Sequence, residues 1–256
     1  MSLDGRLACG YGQVLILLNV MKEDNVRNKK QEEGWAQFQA EAAYANSILL
    51  SAIGDNQGSI ESIRNSLKFK SDYAPAILSM GSIEYQCDNK LEGMRLFNIF
   101  LSLPKDTEDL IEIIDKAGSF LIQLKEYEHG LKYYQNASKK YHEVATFYNG
   151  IACCAGHLEL HDLAISASQR SVEIEPNNQN FVNDLGWSLC EAGKYFESRE
   201  VLKRAVGMDP NDELAKENLG YCEEQILNIE EKNTSALMNM KNGNDKDSFT
   251  NHETEQ

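Results

Sequence analysis

Proline is scarce, with four among 256 residues, and alternating runs of Val, Ile and Thr are missing. Together these absences argue against strands and for a chain that is helical throughout. Clusters of Lys and Arg are also missing. With 25 basic and 40 acidic residues the net charge is −15, which excludes nucleic acid and anionic membrane surfaces as partners, since both attract concentrated positive charge. The excess acid either keeps the molecule soluble or meets a basic partner. Cys9, Cys87, Cys153, Cys154, Cys190 and Cys222 form no CxxC pair and no disulfide-type spacing. Buried, reduced thiols in a cytoplasmic setting are therefore expected. No GxxxxGK[ST], GxGxxG, GxSxG or HExxH occurs. The chemistry those motifs carry is absent, and the expectation is a protein that is no enzyme and holds no cofactor.

Long apolar runs are absent as well. The strongest, "VLILLNVM" at Val14–Met21, falls far short of the roughly 20 residues that cross a bilayer, and no small-x-small cleavage site comes after it. Residues 1–39 are expected to form an extension whose short apolar helix packs on the adjoining part of the chain. At the other end, 233–256 is rich in Asn, Asp and Thr with few aliphatics. Such a tail buries too little apolar area to offset the entropy of ordering and is expected to be disordered.

Between these ends the chain repeats. Pro176 and Pro210 lie 34 residues apart, closing "EIEPNN" and "GMDPND". At that period small residues align at Ser47, Gly81, Gly118, Ala152, Gly186 and Gly220, with a single three-residue insertion near "LPKDTEDL". Twelve residues further on, Ser59, Gly93, Gly130, Ala164 and Ser198 form a second small column. Antiparallel helices approach to about 8–10 Å, and the closest crossings tolerate only small side chains. Turn-like segments lie between the columns ("GDNQG", "CDNKLEG", "KEYEHG", "HLELHD", "EAGKYFES"). Each unit therefore reads as a helix–turn–helix hairpin, and Pro stops the second helix in two of them.

These units resemble tetratricopeptide repeats, whose 34-residue pattern runs W-x2-L-G-x2-Y, then A-x3-F, A and P. The clearest copies are Val182-x2-Leu185-Gly186-x2-Leu189 with Ser198-x3-Leu202, Ala205 and Pro210, and Tyr148-x2-Ile151-Ala152-x2-Ala155 with Ala164-x3-Ser168, Ser171 and Pro176. Unit 111–144 keeps Gly118, Gly130 and Tyr134 but has His142 in place of Pro, 74–107 keeps Gly81, Gly93 and Phe97, and 40–73 is weakest. The resemblance implies an all-α, right-handed solenoid of five hairpins (40–73, 74–107, 111–144, 145–178, 179–212). A capping helix over 213–232 would close it.

At 100° per residue, unit positions 4, 7, 8 and 11 share one helical face, and 2, 5, 9, 12 and 13 lie about 140° away. In the resembling family the second set lines a concave groove for a peptide or partner helix. Carried over, it gives Tyr44, Tyr85, Asn149, Cys153, His157, Asn183, Trp187, Glu191 and Tyr221. Trp187 and Tyr221 share a position in successive units, either as groove wall or as core. Asn149 and Asn183 also share one, and their amides could pair with an extended backbone. The family's clamp for acidic chaperone tails needs Lys and Arg here; Glu41, Asp115, Glu191 and Glu217 stand instead, with Lys116 the nearest cation, so docking to those chaperones is not expected.

The leading expectation is an adaptor that binds a protein or peptide partner, basic in the sharper reading. A rival is a regulatory or chaperone-like subunit of an enzyme complex, with a thiol or metal site at Cys153, His157 and Cys190, since Cys153 and His157 share a helical face at i, i+4. A third is a homo-oligomer paired through Val14–Met21.

Overall fold

The computed structural model describes residues 29–107 and 109–247, and among them all regular structure is helical. Val14–Met21, Cys9 and the tail beyond Asp247 lie outside the described residues. Eleven helices succeed one another among those described: α1 (Lys29–Ala52), α2 (Asn56–Phe69), α3 (Ala74–Gln86), α4 (Lys90–Phe100), α5 (Leu110–Gln123), α6 (Tyr127–Lys140), α7 (Ala145–His157), α8 (His161–Ile174), α9 (Gln179–Glu191), α10 (Tyr195–Met208) and α11 (Glu213–Asp247). They group into two compact units that divide at Leu124 and Lys125. In the first, α1 packs on α2 and α3 on α4, with α5 against α3 and α4. In the second, neighbouring helices pack in chain order, and α9 also touches both α7 and α11. Both units are stacks of antiparallel hairpins, the all-α class expected.

The hairpin crossings explain the small columns. A Cβ placed on Gly186 would stand 2.6 Å from Leu202 Cγ, and one on Gly81 would stand 2.6 Å from Phe97 Cε1. A Cβ on Gly93 would meet the Gly81 carbonyl oxygen at 2.8 Å. The two columns thus touch each other, and in the last hairpin the Ser198 hydroxyl donates to the Gly186 carbonyl at 2.7 Å. Ten of the eleven small residues are buried; Gly220 is exposed, with no atom near its Cβ position. Among the described residues α11 has no returning helix of its own, so nothing at Gly220 requires a small side chain.

A shared cap ends the first helix of each hairpin, and the residue pattern did not reveal it. Gly54, Asp88, Lys125, Glu159 and Gly193 all have left-handed backbone, with φ from 58° to 84°. In four of these turns the next N–H reaches back five residues: Asp55 to Leu50, Asn89 to Glu84, Leu160 to Ala155 and Lys194 to Leu189, each at 2.9 Å. This bond satisfies a carbonyl the helix end would otherwise leave orphaned. Only two of the five residues are Gly, although this region ordinarily disfavours residues with a Cβ such as Lys and Glu; at Asp88 and Glu159 the packing of the hairpin on either side overrides that preference.

Helix bounds differ from the expected units at three places. The first helix begins at Lys29 rather than residue 40, anchored by buried Trp35, whose ring stacks on Phe38 at 5.9 Å. The insertion lengthens the 101–109 connection and shortens α4 to 11 residues, against 14 in α6, α8 and α10. The final helix runs to Asp247 rather than stopping at 232, so 233–247 is helical where disorder was expected. Its early turns are seated by Ala215, Cys222 and Ile226 in the core. From that nucleus each added residue gains one hydrogen bond, and low hydrophobicity alone does not end propagation.

Gly186→Ala is expected to destabilise by about 1–3 kcal/mol because the methyl has no room. Gly220→Ala should be neutral or stabilise by up to about 1 kcal/mol, the ordinary gain of Ala over Gly inside a helix. Thermal unfolding followed by circular dichroism measures both; equal effects would contradict this placement of the crossings.

Candidate functional site

Consecutive first helices of the second unit, α7 and α9, form a cleft of about 210 Å³. Asn149, Cys153 and His157 line it from α7, and Asp184, Trp187 and Glu191 from α9. The spacings are those of a single helical face: i, i+4, i+8 on α7 and i, i+3, i+7 on α9. Ser168 and Ser188 form the floor, where their buried hydroxyls hydrogen-bond at 2.9 Å. Trp187 continues the wall toward α11, its ring 5.8 Å from that of Tyr221, which stays 47% exposed. The side-by-side arrangement expected for this pair is present. Trp187 also packs on the core of Cys190, Leu202, Cys222 and Ile226, so it serves both core and wall.

Two expected site residues are buried instead. Tyr85 is 2% exposed, stacked on Phe97 at 6.5 Å and edge-on to Phe120 at 6.1 Å. Its unit position, 12, faces the returning helix near the turn, and Gly93 leaves the room its ring fills. Asn183 is 3% exposed, and its Oδ1 accepts from Asn218 Nδ2 at 3.1 Å.

The Asn183–Asn218 bond belongs to a recurring pattern. Tyr44 Oη meets Ser79 Oγ at 3.0 Å, and Asn149 hydrogen-bonds Asp184. In all three pairs position 5 of one first helix reaches position 6 of the next, 35 residues on. Asn149 and Asn183 thus tie neighbouring units together, which is why they are not a free row of amides. Arg170 and Arg204, 34 residues apart, make a second repeated tie from the other layer of helices. Each donates to a carbonyl 28 residues earlier, of His142 and Pro176.

Asp184, at position 6 and so outside both helical faces singled out from the sequence, is the most perturbed acid of the cleft. Burial raises its carboxyl above the usual value, and hydrogen bonds from Asn149 and Asn183 partly oppose the rise. Cys153 is exposed along one edge, yet dense packing near its sulfur pushes the thiol up, and Asp184 and Glu191 add to the effect. Burial likewise pushes Cys154 up to about 12 and Cys190 up to about 11. Thiols held protonated at neutral pH are poor nucleophiles and poor metal ligands.

The thiol or metal triad of the rival reading is not assembled. His157 lies flat on Tyr127 with ring centroids 4.1 Å apart, and Cys190 is buried among Leu202, Cys222 and Ile226. Among the described residues no group of three His, Cys, Asp or Glu side chains could hold a metal ion. The first unit holds Tyr44 beside Tyr73, with rings 5.7 Å apart. Burial, then Glu41 and Tyr44, raise the Tyr73 phenol. Lys116, the one cation near the expected clamp positions, is paired with Glu112 at 2.6 Å. Among the described residues no helix is long and apolar enough to cross a membrane.

Stacked helical hairpins whose first helices form a wall with a side-chain-sized cleft define a class of superhelical repeat protein. No protein-family model matches the sequence. The small glutamine-rich tetratricopeptide repeat-containing protein 2 of Mycosarcoma maydis is 25% identical over 134 residues, which are 52% of this chain and 38% of that one. The protein of the same name from Saccharomyces cerevisiae is 23% identical over 191 residues, covering 70% and 53%. The chain thus spans about two-fifths and about half the length of these curated relatives. Among solved structures, a fragment of MamA from Desulfovibrio magneticus RS-1 superposes with a TM-score of 0.50 at 14% identity, over 68% of this chain and 97% of that one. By its hairpin columns and by these comparisons, the chain is similar to tetratricopeptide-repeat proteins and shares their fold of stacked helical hairpins.

A pH dependence arises from Asp184. Its raised folded-state value means that the unfolded chain ionises first as pH rises through the ordinary carboxylate range. Stability is then full in acid and is lost as pH climbs through the folded value. Asp184→Asn should therefore raise the melting temperature near pH 7, with the difference from the parent shrinking toward pH 3. Melting curves across that range provide the check; a variant less stable than the parent at pH 7 would contradict a costly buried carboxylate.

Proposed function

We propose that this chain is a non-enzymatic adaptor, cytoplasmic in setting, which holds a segment of a protein partner against the wall formed by α7, α9 and α11. The observation that carries this reading is the Trp187–Tyr221 pair at the mouth of the cleft. Large aromatic rings at a surface bind strongly because they bury area while losing few rotamers, and such rings dominate interface energetics. Core packing accounts for part of Trp187 but not for Tyr221, which remains exposed beside it. Next to the pair, Asn149, His157 and Glu191 offer hydrogen-bonding groups that fix orientation once an apolar anchor is seated.

The volume argues against a cofactor or drug-sized metabolite. Such sites enclose roughly 300–1,000 Å³, and this cleft has about 210 Å³ with an open mouth. One side chain of an extended segment fills a space of that order while the rest of the segment crosses the wall.

Selection of a phage-displayed random peptide library on the whole chain tests the proposal. Selected peptides should lose about tenfold or more in affinity to Tyr221→Ala and to Trp187→Ala, the range of an interface anchor. Tyr221→Ala is the cleaner variant, since Trp187→Ala also removes core contacts and should lower the melting temperature. Peptides that bind both variants as tightly as the parent would overturn the assignment of the wall.

A further inference from the structure

We infer that the cleft between α7 and α9 receives a cationic side chain, Arg or Lys, from the partner's segment. This rests on the protein-binding reading above and specifies its ligand chemistry. Three observations on the second unit converge on it.

The first is where its acid is left unmatched. Some exposed carboxylates of this unit meet cations, Glu143 and Glu173 at Arg170, Glu200 at Arg199 and Lys203, and Glu213 at Lys216, and others such as Glu159, Asp162 and Glu197 face solvent, whereas Asp184 is half-buried. Asp184 and Glu191 line the cleft together, and among the described residues neither forms an ion pair. No Lys or Arg lines the cavity.

The second is the state of Asp184. Asn149 and Asn183 hold its carboxyl in place by hydrogen bonds, but amides are neutral and leave the charge uncompensated. Asp184 is half-buried, and partial desolvation of a carboxylate without a counter-ion costs the free protein stability. A cation delivered by a partner would relieve that cost, so the complex gains what the free chain lacks.

The third is shape. Trp187 stands between Asp184 and Glu191 in sequence, three residues after one and four before the other, so ring and carboxylates share a face of α9. Arg and Lys have an apolar stem and a charged head, which suit an aromatic wall ending in carboxylates. An indole face also attracts a cation directly. An anion would be repelled by the carboxylates, and a neutral apolar residue would leave them desolvated.

The test uses capped heptapeptides in a Gly/Ser host with a central Arg, Lys, citrulline or Glu, titrated onto the whole chain. The indole N–H resonance of Trp187 is followed by NMR. Citrulline keeps the shape of Arg without its charge. Arg and Lys peptides should give a saturable shift, with citrulline and Glu weaker by about tenfold or more, the size of a partly desolvated charge interaction. In the Asp184→Asn, Glu191→Gln double variant the preference of Arg over citrulline should vanish while the fold is retained. Equal binding of Arg and citrulline, a preference that survives in the double variant, or no saturable shift up to about 10 mM, a range that still detects millimolar binding, would each overturn the inference. The library selection separates the two failures. Selected peptides that depend on Tyr221 yet show no enrichment in Arg or Lys would leave the adaptor standing and remove the cationic ligand; peptides independent of Tyr221 and Trp187 would remove both.

Discussion

The structure depends on how closely two helices of a hairpin can approach. At the α9–α10 crossing the Gly186 backbone lies against Leu202, and Ser198 donates a hydrogen bond to the Gly186 carbonyl. That contact sets the spacing of one hairpin, and the next hairpin is built on the face it presents. Equivalent contacts at Gly81 and Gly93 serve α3 and α4 in the first unit. Because each hairpin buries its face only against its neighbours, errors at a crossing pass along the stack. This explains why residue size is held small at these positions while most other positions vary in character from unit to unit.

Beyond the crossings, units are linked by polar ties that recur at a fixed interval. Position 5 to position 6 of the next first helix is filled by Tyr–Ser, Asn–Asp and Asn–Asn pairs. The chemistry differs, but each pair satisfies a polar group where two first helices meet. Only one of the three places a carboxylate there. Asp184 carries charge into a site its counterparts Ser79 and Asn218 fill with neutral groups, and the cleft lies directly beside it. The same spacing therefore serves as structure in two units and contributes to a candidate binding site in the third.

Much of this was legible from the residue pattern. The period of 34, the small columns and the closing Pro residues placed the hairpins, and the observed turns fall within the segments expected to hold them. Five of the nine expected site residues, Asn149, Cys153, His157, Trp187 and Glu191, line one cleft, and Tyr221 stands beside it. The misses share one cause. An angular face on an isolated helix says which residues point together, not what packs on them. Tyr85 points toward the returning helix of its own hairpin and is covered; Asn183 points toward Asn218 of the next first helix and is covered too.

Sequence alone determined the helical class, the repeat length and the need for close crossings, because these derive from periodicity and side-chain size, which are local properties. Tertiary structure decided which polar residues are ties and which face the cleft. It separated Cys190 from Cys153 and His157, and it raised the Asp184 carboxyl by burying it between α7 and α9. It also imposed left-handed backbone on Asp88 and Glu159, within the hairpins of each unit. Burial, hydrogen-bond partners and local dielectric arise only when separate helices meet. No pattern within one 34-residue unit can specify them.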